Sequence, residues 1–321
     1  MLKALKFVQG AVAKKDFVPV LTHFEIKNGF VYGYNGEIGL CSPITVDINC
    51  TPNAKQFIKA LNSCEDKVSL SLIKNKLVVK SGLFKANVDC VAESNFPNLA
   101  VSGEGYTLEN GLLEGFEALS GFISEDASRP WSQGIKISGQ SFFATNNIAL
   151  AEYWYGWRLF ENDVTLPVSC INEFLRIGKE PKEIYFNGRT VYFVYEDGSW
   201  LSSQIIQAES PNYQARLEKD ESQADEFLDY KTLKLSLERL YSHTDDLKRV
   251  YFSEGRLSTH STENEGVVIQ CPHTPSKGIY NAETLLKILR LEGVRIGLEN
   301  YPAPVGFYSD KIRGLVVGMV K

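Results

Sequence analysis

The chain has 321 residues, 44% of them hydrophobic and 23% charged, and a formal net charge of −5 at pH 7. It is too long for one ordinary core and holds no apolar run of the roughly 20 residues a membrane span needs, so two or three soluble domains are expected. The acidic balance does not advertise a nucleic-acid partner, although the distribution of charge matters more than its sum.

The opening residues set Leu2, Leu5, Val8 and Val12 at helical spacing, with Lys3, Lys6 and Lys14 on another face. With no cleavage-site pattern this reads as a structural helix, ending at Lys15-Asp16 ahead of Pro19, in a cytoplasmic protein. Strands follow, joined at Asn28-Gly29 and Asn35-Gly36, dipeptides that tolerate positive φ. A second helix is expected over 53–62, with Phe57, Ile58 and Leu61 inward and Lys55 and Lys59 outward. Period-two strands then turn at Lys74-Asn75 and Ser81-Gly82.

The next stretch, CVAESNFPNL from Cys90, recurs in outline as IIQAESPNY from Ile205. Each runs from apolar residues through an acidic-Ser turn to Pro-Asn, which closes a strand and opens a connector. Between them lie a helix over 108–123, strands, a strand running into a helix near 168–179, and strands turning at Asn187-Gly188 and Asp197-Gly198. The last third repeats the order, with helices expected over 230–241 and 281–291. Six helix-plus-strands units of roughly 50 residues pair into three tandem domains, 1–101, 102–217 and 218–321. The expected class is α+β, two helices packed on antiparallel sheets in each domain.

Charge is segregated within this pattern. The six predicted helices carry about +7 together and the remainder about −12, although the third helix is acidic through Glu109, Glu114 and Glu117. The basic residues are Lys3, Lys6, Lys14, Lys15, Lys55, Lys59, Arg176, Lys179, Lys231, Lys234, Arg239, Lys287 and Arg290. Lysine and arginine are also good helix formers that decorate solvated faces, which is the bland reading. The six cysteines show no CxxC pair or metal-ligand spacing and read as free thiols. The four histidines lie in unrelated segments, and no GxSxG, HExxH, P-loop or GxGxxG is present, so no enzyme class is suggested.

Four stretches together carry a resemblance. They are GAVAKKDFVPVLTHFEIKNGFVYGYNGEIGL, RPWSQGIKISGQSFFATNNIALA, the NFPNL and SPNY punctuation, and the closing IRGLVVGMVK. In order and spacing the chain resembles the bacterial sliding clamp family, the β subunit of DNA polymerase III, in a short form such as phages encode. That resemblance implies a non-catalytic processivity factor: a head-to-tail homodimer of three-domain subunits closing a ring, with helices lining the hole around duplex DNA. It implies no cofactor and no metal. The basic helical residues above would face the DNA, and Arg129 and Trp131 match the family's DNA-facing loop.

The resemblance also implies that a DNA polymerase and a clamp loader dock by short peptide motifs in an apolar pocket between the second and third domains. The matching positions are Thr145, Asn147, Ile148 and Leu150, with Val316, Val317 and Met319 from the tail. The tail itself, GMVK, departs from the family ending, and Glu218 stands where a proline often lies. By position the subunit interface would involve Phe84 and Val88 of the first domain and Leu240 and Tyr241 of the third. The competing non-enzymatic class is a β-rich structural or assembly protein of a virion or scaffold, which needs no basic helical lining; charge segregation favours the clamp.

Overall fold

The computed structural model describes residues 1–15, 17–65, 67–91, 96–218, 228–262 and 265–320. Residues 92–95 of the first punctuation stretch, Asp16 of the expected first helix end and Lys321 of the tail lie outside these. By contacts the chain forms two compact units, 1–113 with 169–205 and 114–168 with 206–321.

Each unit is built on a seven-stranded antiparallel sheet. In the first unit a three-strand meander, Glu25–Lys27, Phe30–Tyr34 and Ile38–Pro43, joins through its third strand to Trp200–Gln204. That strand is the third of another meander, after Glu183–Phe186 and Thr190–Val194. The second unit repeats the rule: Ala149–Trp154, third after Gly134–Ser138 and Ser141–Thr145, pairs with Ile312–Val316, third after Arg295–Ile296 and Val305–Tyr308. Two meanders remain. One is Ser69–Ile73, Lys76–Ser81 and Phe84–Asp89 in the first unit; the other is Arg249–Ser253, Arg256–Ser258 and Val268–Gln270 in the second, extended at its far side by Lys277–Asn281. Among the described residues their third strands end the sheets.

Local chemistry sets these connections. Asn28 at φ 52° and Gly29 at φ 76° both take the left-handed conformation that a tight hairpin needs, as do Lys74 and Asn75. A second turn recurs with asparagine as its organiser. The Asn35 Oδ1 accepts from the N–H groups of Glu37 and Ile38 at 3.0 and 2.9 Å. Asn146 does the same for Ile148 and Ala149 at 3.1 and 2.8 Å, and Asn187 for Arg189 and Thr190 at 3.1 and 2.9 Å. An asparagine side chain replacing a backbone acceptor two and three residues on is the Asx turn, here found in three of the meanders.

Among the described residues seven α-helices accompany the sheets: α1 (Leu2–Val8), α2 (Ala54–Asn62), α3 (Leu112–Ser120), α4 (Val168–Ile177), α5 (Tyr213–Leu217), α6 (Tyr230–Tyr241) and α7 (Ala282–Ile288). Four have asparagine or aspartate caps: Asn53, Asn212, Asp229 and Asn281 each accept a backbone N–H of the first turn. α1 is shorter than its apolar stripe predicts, passing into a 3₁₀ turn at Gln9–Ala11. There the Glu173 carboxylate lies where a side chain at Gly10 would stand, 2.0 Å from an ideal Cβ. α3 starts at Leu112 rather than 108, because Glu180 accepts from the N–H groups of both Gly111 and Leu113 at 3.0 Å and fixes the start. Its Phe116 lies 5.4 Å from the Phe142 ring in the sheet. The acidic face of this helix has a counterpart: Glu114 is paired with Lys311 at 2.8 Å.

Candidate functional site

The second unit holds a cavity of about 1070 Å³ on one face of its seven-stranded sheet. Its floor comes from the central strand pair, in which Leu150 lies opposite Leu315. Along Ile312–Val316 alternate residues face opposite sides, so Leu315 and Val317 reach the cavity while Val316 is fully buried beneath. The Asn146 turn carries Asn147 at φ 68° to the rim, and its tightness is held by Thr145, whose hydroxyl donates to Ala149 O at 2.7 Å and accepts from Asn147 N at 3.1 Å. The tail is tied to this turn by the Val317 N–H, which donates to Ile148 O at 2.9 Å.

One wall is α5, begun by its Asn212 cap. Tyr213 and Leu217, one helical turn apart, pack on Phe143 and Leu150, with Trp131 and Leu315 against the same cluster. The Tyr213 ring centroid lies 5.9 Å from Phe143 and 6.3 Å from Trp131. Beneath it Lys136 Nζ stands 5.5 Å from the ring centroid while pairing with Asp163 at 2.7 Å. Burial pushes the Tyr213 hydroxyl up to about 12, so it stays protonated throughout the neutral range. Trp131 sits in a 3₁₀ turn, Pro130–Ser132, closed by the Ser132 hydroxyl donating to Arg129 O at 2.8 Å.

The cavity gathers Thr145, Asn147, Ile148, Leu150 and Val317 of the pocket residues expected from sequence. Val316 is a correction: its side chain belongs to the core, at 0% exposure. Met319 is not among the lining residues; its N–H donates to Ile279 O at 2.7 Å and its carbonyl accepts from the Tyr301 hydroxyl at 2.9 Å. Arg129 and Trp131, expected beside DNA, line this same cavity. Sequence reading missed Ala149, Pro211, Tyr213, Arg216, Asn300, Ala303, Pro304 and Leu315. The signal for three of them was present: SPNYQAR is a capped helix start whose Pro, Tyr and Arg sit at the wall.

The basic residues differ in how free they are. Arg176 is engaged by Glu173 and donates to the carbonyls of Lys6 and Phe7, so it braces α4 against α1. Lys179 lies 3.9 Å from Asp197, and Lys287 pairs with Glu283 at 2.8 Å. Lys3, Lys6, Lys14, Lys15, Lys55, Lys59, Lys231, Arg239 and Arg290 are exposed, and Lys234 is half-buried. Of the expected interface residues, Val88 and Leu240 are corrections: at 1% and 0% exposure they fill the chain's own core. Phe84 and Tyr241 are half-buried, Phe84 at the start of the sheet-edge strand.

No protein-family model matches the chain, and no curated protein matches it. Solved structures do, over the whole length. The DNA polymerase sliding clamp from Pseudomonas aeruginosa superposes with a TM-score of 0.83 at 18% identity, covering 100% of this chain and 97% of that one. The β subunit from the DNA polymerase of Streptococcus pyogenes gives 0.84 at 18% identity with the same coverage. The Helicobacter pylori β clamp, solved bound to a DNA ligase peptide, gives 0.80 at 18% identity over 99% and 97% of the two chains. This chain therefore has the fold of the DNA polymerase III β sliding clamps from end to end.

Proposed function

We propose that the protein is a DNA sliding clamp: a non-catalytic processivity factor that encircles duplex DNA and tethers replication proteins through the second-unit cavity. The observation that carries this is the third-strand rule. Both seven-stranded sheets form where two meanders join by their third strands, and two meanders, ending at Phe84–Asp89 and Val268–Gln270, are left with that edge open. A second copy offers each edge the complement it lacks. Such a contact is heterologous, head to tail, and closes into a ring or continues as a filament. Three domains, 1–101, 102–217 and 218–321, follow from counting two meanders to a domain, and a two-copy ring closes three kinds of joined sheet with none left open.

Exposed lysines on α1, α2 and α6 then supply the DNA contact. Lys3, Lys6, Lys55, Lys59 and Lys231 meet phosphates by charge alone, so the grip is weak, independent of sequence and compatible with sliding. Retention comes from topology. The cavity is the docking point for a polymerase or a loader, as the ligase peptide bound to the Helicobacter pylori clamp suggests by analogy. The setting is the cytosol of a bacterium or of a phage-infected cell.

The test is retention on circular DNA. Protein incubated with a nicked plasmid and washed at high salt should stay bound, and should be released when a restriction enzyme linearises the plasmid. Equal retention before and after cutting would contradict encirclement and make the protein an ordinary surface binder.

A further inference from the structure

The fold sorts the six cysteines of the chain into different environments. Cys41, Cys170 and Cys271 are buried, and burial pushes their thiols up, those of Cys41 and Cys170 to about 12, which leaves them protonated and inert. Cys64 is half-buried and donates to Ala60 O at 3.3 Å. Cys50 and Cys90 are also half-buried, and backbone pairing sets them side by side. Cys50 exchanges both backbone hydrogen bonds with Ile26, at 2.8 and 3.0 Å, which ties it to the Glu25–Lys27 strand. Cys90 lies opposite Pro52 in an antiparallel bridge, framed by Asn53 N donating to Asp89 O at 2.8 Å and Val91 N donating to Thr51 O at 3.1 Å. Alternate residues of an extended segment share a side, so Cys50, two positions from Pro52, projects on the same side as Cys90. Both line one cavity of about 320 Å³, walled by Glu25–Lys27, residues 49–51 and the Asn75 turn, and their thiols hydrogen-bond to each other. The bond from Cys50 holds the Cys90 thiol below its ordinary value, aided by a backbone hydrogen bond from Leu77 and against the pull of burial and Asp89. The same contact, with burial, raises Cys50.

We propose that Cys90 and Cys50 are an oxidisable dithiol that reacts with hydrogen peroxide, Cys90 as the nucleophile and Cys50 as the resolving thiol, and closes to a reversible disulfide. A thiolate that is partly exposed and stands beside a second thiol is the arrangement of a peroxide-reactive cysteine. In the first step the Cys90 thiolate attacks one peroxide oxygen. An S–O bond forms, the O–O bond breaks, and the departing hydroxide takes a proton to leave as water. In the second step the Cys50 sulfur attacks the Cys90 sulfenic acid. The S–S bond forms, the S–O bond breaks, and the leaving hydroxide takes the Cys50 proton. Two thiols and one peroxide thus give a disulfide and two waters; the sulfur pair loses two electrons and the peroxide gains them. A dithiol reductant reverses the bond by exchange. The disulfide fastens the end of the open-edged strand Phe84–Asp89 to the segment leading into α2, a junction the reduced protein holds by backbone hydrogen bonds and the thiol contact.

The experiment treats the intact, fully reduced protein with hydrogen peroxide in native buffer, blocks the remaining thiols with N-ethylmaleimide, and maps the digest by mass spectrometry. The expected result is a linked peptide joining Cys50 to Cys90, with two of the six thiols lost to alkylation and both recovered after dithiothreitol. Cys50→Ser should leave Cys90 as a sulfenic acid that dimedone traps, and Cys90→Ser should leave Cys50 reduced at the same peroxide dose. Six alkylated thiols after treatment, or a linked peptide joining other cysteines, would overturn the proposal; this wild-type digest decides the pairing without relying on the folding of any variant. Dimedone capture at Cys50 in Cys90→Ser, with none at Cys90 in Cys50→Ser, would overturn the assignment of Cys90 as the nucleophile.

Discussion

Asn87→Pro should separate self-association from folding. The two-residue connection between Ser81 and Phe84 makes alternate residues of Phe84–Asp89 exchange hydrogen bonds with Lys76–Ser81, starting with Phe84 itself. The N–H groups of Phe84, Ala86 and Val88 therefore point into the chain's own sheet, and those of Lys85 and Asn87 point away. The outward groups of Asp89 are already used: its N–H donates to Gln56 Oε1 at 2.9 Å and its carbonyl accepts from Asn53 N at 2.8 Å. Proline at 87 consequently removes no internal ladder bond, and edge strands are where proline is tolerated. In a joined sheet it removes one donor and places a ring where a second strand must approach to about 4.8 Å, so the bonds on either side are lost as well. Two net bonds at about 1 kcal/mol each, lost at both contacts of a two-copy ring, amount to about 4 kcal/mol and roughly a thousandfold weaker dimer. Sedimentation equilibrium measures the dissociation constant, and far-UV circular dichroism on heating verifies the fold. A melting curve close to wild type with an unchanged dissociation constant would refute the assignment of this edge to the interface.

Three further outcomes are expected. Lys3, Lys6, Lys55 and Lys59 changed together to alanine should lower DNA affinity for every sequence alike and flatten the salt dependence of log K by about 0.9 for each lysine that meets a phosphate, measured by fluorescence anisotropy. Arg313→Met should destabilise the chain by about 3 kcal/mol in urea, because it leaves the Glu152 carboxylate buried opposite an apolar residue; adding Glu152→Gln should recover most of the loss. Stability should fall on acidification below about pH 4. The hydrogen bond from Lys311 holds the Glu114 carboxyl below its ordinary value, and the Thr232 hydroxyl does so for Asp229. At Asp163 burial pushes upward, but hydrogen bonds from Lys136 and Ser138 outweigh it. Groups with depressed values contribute fully above their unfolded values, near 4, and lose that contribution as pH falls through the folded ones. A flat urea midpoint between pH 6 and pH 3 would contradict the assignment of these pairs.

What was legible in the sequence is what local chemistry decides. α6 runs over 230–241 as its spacing predicts, because Asp229 caps it, accepting from the Lys231 and Thr232 N–H groups at 3.1 Å. Asn28-Gly29 and Lys74-Asn75 make hairpins because both residues of each pair sit at positive φ. Five of seven pocket positions met in one cavity, since the Asn146 turn and the closing strand have strong patterns of their own. What stayed hidden depends on tertiary neighbours. Nothing local says that Glu173 occupies the space beside Gly10, or that Glu180 starts α3 from a distant segment. Val316 and Val317 are indistinguishable until register is known, and a shift of one residue moves a side chain between core and cavity. Arg129 and Trp131 line the cavity because their 3₁₀ turn packs toward Tyr213, a contact that no local pattern in the loop announces. The Pro-Asn of SPNY reads as a connector, yet Asn212 begins a short helix that forms the pocket wall.

Ring closure can be seen by negative-stain electron microscopy of the purified protein with two-dimensional averaging. A closed ring of six lobes around a central hole is the expected result. Compact particles without a hole, at concentrations where sedimentation shows the dimer fully formed, would contradict it.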